Sequence, residues 1–298
     1  MDDTAEQTRP WTQDELLRLM DLQPDHEEEG VYLAPAHGST ARDVVEAGQM
    51  LGATVAAAAK HVEHQRVVSA SMIFSRAAAH SQPLRVHLDT VRTGRTFSTV
   101  EAQVRQQGTQ RCSGVVLLDS GAPDLIRNSI TMPDVDPPDR LRSHDVPGAV
   151  VDGRDIRVVD DAYDHDPDRV GPPELFVWTR FRDAPGYEYL HQALLTQSTT
   201  HWTVAAAMRP HTGIGESMAH RSISTGITMT TVTFHDSADV SQWLLYATRA
   251  TYAGRGQAQS DGHVFDVDGR LVASYSVHAM IRGLLKRTDA TPGGDTLL

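Results

Sequence analysis

The sequence predicts an α+β protein in which one structural unit occurs twice. In each half, a segment with the apolar spacing of a helix, at 41–61 and again at 187–208, is followed by short segments that are rich in Val, Thr and Phe and typical of antiparallel strands. Between the halves, residues 121–174 are rich in Pro, Asp and Arg and contain few apolar side chains, which is typical of a linker on the surface. An internal duplication is the simplest explanation of this order.

The boundaries of the two units follow from this pattern. We predict an N-terminal unit at 12–120, a linker at 121–174, a C-terminal unit at 175–283 and a tail at 284–298. Each unit then contains about 110 residues, which is within the usual size range of a domain.

The N-terminal unit begins with a short amphipathic helix, "TQDELLRLMDL", in which Thr12 is a suitable N-cap and Glu15 follows three residues later. The longer helix contains a series of small residues, namely Gly48, Gly52, Ala53, Ala56 and Ala57. Because glycine lowers helix propensity, we expect these residues to permit the close approach of another element, and the sheet is the expected neighbour. Strands are predicted at 66–74, 84–92, 96–106 and 111–119.

The C-terminal unit repeats this order. A strand at 175–181 precedes the helix at 187–208, in which Leu190, Leu194 and Met208 have core-like spacing. Four more strands are predicted at 226–235, 242–254, 255–267 and 270–281. Asp268-Gly269 has the residue types of a hairpin turn between the last two.

The overall composition argues against several classes of protein. A formal net charge of −12 argues against nucleic-acid binding, because such a protein needs a basic face. Cys112 is the single cysteine, so a disulfide framework is excluded and a reducing cytoplasm is expected. The acidic start does not resemble a signal peptide, and no apolar run approaches the length of about 18 residues that indicates a membrane helix. We therefore expect a soluble cytoplasmic protein with no membrane partner.

Five segments of the chain carry a family resemblance. They are "VEAGQMLGATVAAAAKHV", "FSRAAAHSQPLRVHLDTVRTGRTFSTVEAQVRQQG", "YLHQALLTQSTTHWTVAAAMRPH", "TFHDSADVSQWLLYATRATYAGRGQ" and "VFDVDGRLVASYSVHAMIR". In this order they resemble the type II acyl-CoA thioesterase family, and the similarity spans residues 12–283. The spacing from Phe234-His235 to the Trp-Leu-Leu-Tyr run at 243–246 is fairly specific to that family.

The resemblance implies a double hotdog fold, in which two long helices are each wrapped by an antiparallel sheet and the two sheets join into one continuous surface. It also implies the hydrolysis of a fatty or related acyl-CoA to the free acid and CoA, in a homodimer or a higher homo-oligomer. An acyl group presented on a carrier protein is the alternative substrate. Such chemistry requires no cofactor and no metal ion.

The three catalytic residues of that family are altered in this chain. The resemblance places its Asp at Thr200, its Thr at Ile227 with Thr228 beside it, and its Gln at Val277. Thr200 cannot act as a base at neutral pH, but its hydroxyl can hold a water molecule or bond the backbone one turn earlier. Thr228 has a hydroxyl one residue from the expected position, and one step along a strand turns a side chain to the other face unless the register differs. We therefore treat Thr200 and Thr228 as candidate catalytic residues and Val277 as part of the substrate site.

Two histidines lie one residue beyond the altered positions. His201 and His278 are candidates for substrate binding or for base chemistry near neutral pH. The alternative is that both point away from the pocket, because one residue rotates a helical side chain by about 100° and reverses a side chain on a strand.

Glu46 is a carboxylate near the start of the first long helix, three residues before Gln49. If the active site has moved, Glu46 is the candidate catalytic acid or base, and Gly48 and Gln49 line the substrate site, where the free N–H groups of a helix start can bind a carbonyl oxygen. The alternative is that Glu46 only complements the helix dipole.

No metal or nucleotide motif is present. "HVEH" lacks the spacing of a zinc helix, "DDAYDHDPD" lacks the glycine and glutamate of a calcium loop, and no phosphate-binding loop or nucleophile elbow occurs. Two alternatives to hydrolysis stay open, namely an inactive homologue that binds an acyl thioester and a hydratase or dehydratase on the same fold.

Overall fold

The computed structural model describes residues 11–36, 43–143, 151–163 and 166–284. These residues form a twelve-stranded antiparallel sheet, with helices packed against one face, and a separate parallel pair of two-residue strands. The tail predicted from residue 284 lies outside the described residues from position 285 onward.

The elements have the following bounds. The helices are α1 (Gln13–Met20), α2 (Ala47–His61), α3 (Glu188–Ser198) and α4 (Thr203–Met208). The strands before the second unit are β1 (Trp11–Thr12), β2 (Gln23–Pro24), β3 (Val31–Ala34), β4 (Arg66–Phe74), β5 (Leu84–Arg92), β6 (Phe97–Gln106), β7 (Thr109–Asp119), β8 (Val151–Asp152) and β9 (Arg154–Val158). The remaining strands are β10 (Glu174–Phe181), β11 (Ile223–Phe234), β12 (Leu244–Gly254), β13 (Gln257–Asp266) and β14 (Leu271–Gly283).

The strand order shows the duplication directly. The sheet runs β2-β3-β5-β6-β7-β4-β11-β14-β13-β12-β10-β9. In each half, the strand next to the edge strand comes directly before the long helix in sequence, so that β3 precedes α2 and β10 precedes α3. The next long strand in sequence, β4 or β11, lies at the centre of the sheet. The two central strands, β4 and β11, pair antiparallel and join the halves. This confirms the predicted fold class, with the helices of both halves wrapped by one continuous sheet.

The start of α1 confirms the predicted capping box. The Thr12 hydroxyl accepts a hydrogen bond from the Glu15 N–H at 3.2 Å, and the Thr12 N–H donates to the Glu15 carboxylate at 2.8 Å. The two bonds satisfy N–H groups that a helix start leaves without a helical acceptor.

The glycines of α2 contact α3, so the expectation that they lie against the sheet is wrong. A Cβ atom at Gly52 would lie 2.5 Å from the carbonyl oxygen of Ala193, and one at Gly48 would lie 2.7 Å from Thr200 Oγ1. The physical reason is the joined sheet, because it brings the helices of both halves onto the same face. Small side chains let the two helical backbones approach each other.

The second long helix is interrupted, whereas a continuous helix was predicted at 187–208. α3 ends at Ser198, and α4 begins at Thr203. The hydroxyls of Thr196 and Thr199 donate to the carbonyl oxygens of Gln192 and Thr196, both at 2.7 Å. Such bonds compete with the helical pattern, and the interruption places the side chains that follow Ser198 at the end of α2.

The segment between the halves contributes to the sheet. Within residues 121–174, β9 pairs with β10 and becomes an edge strand. A hydrogen bond from Trp178 Nε1 to the Asp136 carbonyl oxygen, at 3.0 Å, attaches another part of the segment to β10. The segment is therefore partly structured, and the proposed unit boundaries stay a prediction.

Among the described residues, no helix has both the length and the apolar character that a membrane span requires.

Candidate functional site

A group of polar side chains meets where α2 begins and α3 ends. Glu46 is the N-cap of α2 and has an extended backbone, Gln197 and Ser198 end α3, His201 follows in the turn, and Arg154 begins β9. We call these five residues the helix-end cluster. Glu46 is more than 100 residues away in sequence from Gln197 and His201, which it contacts. The cluster therefore exists only in the folded protein.

The hydrogen bonds of the cluster converge on one carboxylate oxygen. His201 Nε2 lies 3.0 Å from Glu46 Oε2, and Gln197 Nε2 donates to the same oxygen at 2.9 Å. Arg154 Nη1 donates to Gln197 Oε1 at 3.0 Å. Within the described parts of the chain both bonds to the Glu46 carboxylate end on Oε2, which leaves Oε1 available to a further donor such as water.

Arg154 sets the orientation of the His201 ring. Its Nη1 lies 3.1 Å from His201 Nδ1. Because a guanidinium group only donates hydrogen bonds, this contact requires Nδ1 to accept, which in the neutral imidazole puts the ring proton on Nε2, where it donates to Glu46. Arg154 and Glu46 thus hold one imidazole from both sides.

The electrostatics of the cluster keep Glu46 ionised. Burial acts to raise the pKa of the Glu46 carboxyl, but the interaction with His201, the charge of Arg154 and the Gln197 hydrogen bond outweigh it and lower the pKa to about 2. Burial lowers the pKa of Arg154, and Glu46 opposes this shift. The Glu46 side chain is 36% exposed and that of His201 13% exposed, so solvent still reaches the carboxylate.

The first turn of α2 adds hydrogen-bond donors to the cluster. The Met50 N–H donates to the Glu46 carbonyl oxygen at 3.1 Å, so the N–H groups of Ala47, Gly48 and Gln49 precede the first helical bond. Gln49 is buried, and Gly48 lies against Thr200. A carboxylate that can hold water therefore lies beside donors that can bind a carbonyl oxygen.

Val277 lies on the buried face of β14, in a different environment. It is 1% exposed and pairs with Thr230 on β11 and with Ser260 on β13. Among the described residues Thr230 Oγ1 is buried without a hydrogen-bond partner, while Ser260 donates to the Thr203 carbonyl oxygen at 2.9 Å. The residue opposite Val277 is thus Thr230, which the sequence analysis missed.

Thr228 and His278 pair with each other. The β11–β14 register shifts between Ile227 and Met229, so Thr228 is the extra residue of a β-bulge. Its hydroxyl lies 2.6 Å from His278 Nδ1 and donates to the His278 carbonyl oxygen at 3.0 Å. Met229 pairs with His278 and is exposed, which places this pair on the face of the sheet opposite Val277.

The structure therefore brings together part of the predicted site. Glu46, Gly48, Thr200 and His201 lie at one helix end, with Gln49 in the same turn, whereas Val277 and the pair Thr228–His278 lie elsewhere. Arg154 and Gln197 were missed, because one lies in the segment predicted as a linker and the other in a helix without a distinctive motif. The one useful signal in the sequence is the run of threonines before His201, because it indicates an interruption of the helix. Such an interruption allows His201 to turn toward α2.

Over the described parts of the chain, no three His, Cys, Asp or Glu side chains are arranged to hold a metal ion. The helix-end cluster has one carboxylate and one imidazole, and the neighbouring Arg154 guanidinium further disfavours a cation there.

Comparisons with known proteins agree on one family and one fold. The family described as "Acyl-CoA thioesterase N-terminal domain" matches residues 35–118, and "Acyl-CoA thioesterase C-terminal domain" matches residues 131–280. The chain is 24% identical over 265 residues to acyl-coenzyme A thioesterase 8 of Mus musculus, and the match covers 79% of each chain. It is 23% identical over 271 residues to the Homo sapiens protein of the same name, again with 79% of each chain covered.

Solved structures of similar shape show the same fold. The acyl-CoA thioesterase II TesB2 from Mycobacterium marinum superposes with a TM-score of 0.74 and 21% identity, covering 92% of this chain and 99% of that one. A conserved protein with a hot dog fold from Alicyclobacillus acidocaldarius has a TM-score of 0.71 and 18% identity, covering 91% of this chain and 98% of that one.

Proposed function

Since the chain belongs to the acyl-CoA thioesterase family, we propose that it hydrolyses a fatty or related acyl-CoA at the helix-end cluster. The observation that supports this proposal is the contact of Glu46 with His201 beside the N–H groups that precede the first helical hydrogen bond of α2. The proposal keeps the catalytic role for Glu46, takes it from Thr228 and removes Val277 from the substrate site.

Each group has a role in the proposed reaction. Oε1 of Glu46 holds a water molecule and takes its proton as the water oxygen attacks the thioester carbon. The carbonyl oxygen becomes negative and is bound by the N–H groups at the start of α2. The carbon–sulfur bond then breaks, and the CoA thiolate takes up the proton and leaves as the thiol.

The low pKa of Glu46 affects this chemistry in two ways. The carboxylate stays ionised at every pH above about 2, but it is a weaker base than an ordinary glutamate. The surrounding groups therefore contribute mainly by position. Arg154 and Gln197 act as positioning residues, because they hold the His201 ring and the Glu46 carboxylate in place. Thr200, next to Gly48, supplies a hydroxyl at the same helix end.

The proposal is tested by the release of free thiol. We expect purified protein to release CoA from acyl-CoAs of short to long chain length faster than the uncatalysed reaction, with acyl-carrier protein as a parallel substrate. Glu46 does not cause a loss of rate between pH 8 and pH 5, since its pKa of about 2 lies below this range. The absence of thiol release, together with an acyl-CoA-dependent rise in melting temperature, would show a binding protein, and a change at an acyl double bond with the thioester intact would show a hydratase.

A second prediction separates the helix-end cluster from the surroundings of Val277. Replacing Thr230 with Val is expected to raise the free energy of unfolding by about 1 kcal/mol, because it removes a buried hydroxyl that lacks a partner while keeping the shape of the side chain. Thiol release should be unchanged. Urea unfolding and the thiol assay check both statements, and a loss of hydrolysis in this variant would place the active site beside Val277.

A further inference from the structure

Two arginines and a tryptophan meet on the sheet face opposite the helices, next to the edge strand β9. Arg157 lies on β9, Arg180 lies on β10, and Trp243 directly precedes β12. Ile156 and Val158 are buried in the core with the helices, so Arg157 between them points to the other face. The guanidinium carbon of Arg180 lies 4.7 Å from the centre of the Trp243 ring, and that of Arg157 lies 5.3 Å from it. We call Arg157, Arg180 and Trp243 the Arg–Trp site.

The Arg–Trp site has more positive than negative charge. Arg157 Nη1 donates to the Ser143 hydroxyl at 3.1 Å, and within the described parts of the chain no carboxylate lies within salt-bridge distance of Arg157. Arg180 Nε lies 3.0 Å from Asp155 Oδ2, but the same carboxylate also lies 3.7 Å from Arg182 Nε. The Arg180 side chain is 42% exposed, so a ligand from solvent can reach it.

The two guanidinium groups of the site repel each other. Because both lie over one indole ring, they are no more than about 10 Å apart, which is close to the screening length at physiological ionic strength. The contacts with Trp243 attract each cation to the ring but do not neutralise it. An anion that contacts both groups would neutralise them, and guanidinium groups match the geometry of phosphate with two parallel hydrogen bonds.

The N-terminal half shows that the duplicated fold does not require these side chains. Both halves contain the sequence Ser-Gln-X-Leu, at 81–84 and at 241–244. The pair β3–β5 has the same place in its half as β10–β12, and β2 has the place of β9. The strand registers then align the Arg–Trp site with three uncharged residues, namely Gln23, Pro35 and Pro83. A reason other than the fold is therefore needed for the two cations.

We propose that the Arg–Trp site binds the phosphate groups of CoA while the thioester lies at the helix-end cluster. This inference rests on the proposed function, because it takes CoA as the carrier of the acyl group. In a protein with a net charge of −12, a local pair of cations attracts an anion to one place on the surface. A compact pair of guanidinium groups matches a phosphate group, which is smaller than the acidic surface of a carrier protein.

Strand β9 connects the Arg–Trp site to the helix-end cluster. Arg154, which contacts Gln197 and His201 in the cluster, lies three residues before Arg157 on this strand, at a distance of about 10 Å. The pantetheine arm joins the sulfur of CoA to its phosphates and has the length of about four extended residues, or about 14 Å. Because β9 is the last strand of the sheet, the arm can pass around its edge from one face to the other.

Calorimetric titration of the full chain with free CoA tests the proposal without any hydrolysis. We expect Arg157→Gln and Arg180→Gln each to weaken the binding of CoA by about 10-fold, because each removes a charge-assisted hydrogen bond to phosphate. The affinity for pantetheine, which has no phosphate group, should not change. If the protein releases thiol, the same variants should raise KM for acyl-CoA by about 10-fold and leave KM for the corresponding acyl-pantetheine unchanged.

Arg249→Gln is the matched control for the two variants. Arg249 also lies over an aromatic ring, 5.7 Å from the centre of Phe176, but its Nε is paired with Glu174 Oε2 at 2.9 Å. The control should bind CoA as tightly as the wild type does.

Three results would overturn the proposal. A wild type that binds CoA no more tightly than pantetheine is the first, and this comparison decides the question even if the arginine variants fail to fold. The second is a variant of Arg157 that binds CoA with wild-type affinity and has the wild-type circular dichroism. The third is a loss of activity toward acyl-carrier protein alone, which would assign the site to an acidic protein. CoA binding without thiol release would refute the proposed function and support the Arg–Trp site, so the two failures are distinguishable.

Discussion

Replacing Glu46 with Gln is expected to lower the rate of CoA release by about 100-fold or more, because the amide cannot take a proton from the attacking water. The change keeps the size of the side chain, so the fold should be retained, and the melting temperature and circular dichroism check this. The measurement is the turnover number for the best acyl-CoA found in the chain-length series, with thiol detection under saturating substrate.

Glu188→Gln is the matched control for this variant. Glu188 is the acidic residue in the first turn of α3, the equivalent helix of the other half, and its side chain is 51% exposed. If Glu46 only complements a helix dipole, both variants will behave alike and lose little activity. A Glu46→Gln protein that turns over at the wild-type rate would refute the proposed site.

Glu46→Gln is also expected to change the way in which the free energy of unfolding depends on pH. The folded-state pKa of Glu46 is about 2 and lies below the ordinary value of 4.5. The stabilisation from the carboxylate is therefore complete above pH 4.5 and is lost as the pH falls toward 2. Urea unfolding of the wild type and of Glu46→Gln should show a lower free energy of unfolding for the variant at neutral pH, and this difference should shrink in acid. A difference that grows in acid would contradict the low pKa.

Replacing Gly48 with Ala is expected to lower the free energy of unfolding by about 1–3 kcal/mol, the range for adding a methyl group to a packed contact. The new Cβ would lie 2.7 Å from Thr200 Oγ1 and closer still to the Gln197 carbonyl oxygen, which belongs to backbone and cannot move alone. α2 and α3 must then separate. Because Glu46 begins α2 and His201 follows α3, we also expect a lower rate of thiol release.

Gly186→Ala is the control for the effect of alanine itself. Gly186 precedes α3 and has no neighbouring atom within 4 Å of a Cβ at its position. This variant should match the wild type in urea unfolding and in activity. A Gly48→Ala protein with wild-type stability would show that α2 has room for a methyl group at position 48, and this would contradict the close contact with α3.

Much of the fold was predictable because it depends on local patterns. The period of two in segments such as 84–92 and the period near 3.6 in 13–20 reflect which side of each element is buried, and this is encoded residue by residue. The capping box at Thr12 is likewise a local pattern. The interruption after Ser198 was missed, since helix spacing continues through it and the hydroxyl bonds of Thr196 and Thr199 outweigh the pattern.

The candidate site was predictable only in part. Glu46, Gly48, Thr200 and His201 were each singled out, but for separate reasons. Counting along the chain could not place Thr228, because a single extra residue at the bulge turns it toward His278 and leaves Thr230 opposite Val277. A bulge depends on how two strands pair and has no unique signature in one of them.

The sequence by itself determined the α+β class, the duplicated order of helix and strands and the family resemblance, and it predicted the loss of the three usual catalytic side chains. Only the tertiary structure decided that Glu46 meets His201 and that Arg154 arrives from the segment between the halves. The physical reason is the range of the interactions. Periodicity records burial within a few residues, whereas a contact between positions 46 and 201 exists only after the two halves have joined their sheets and packed α2 against α3.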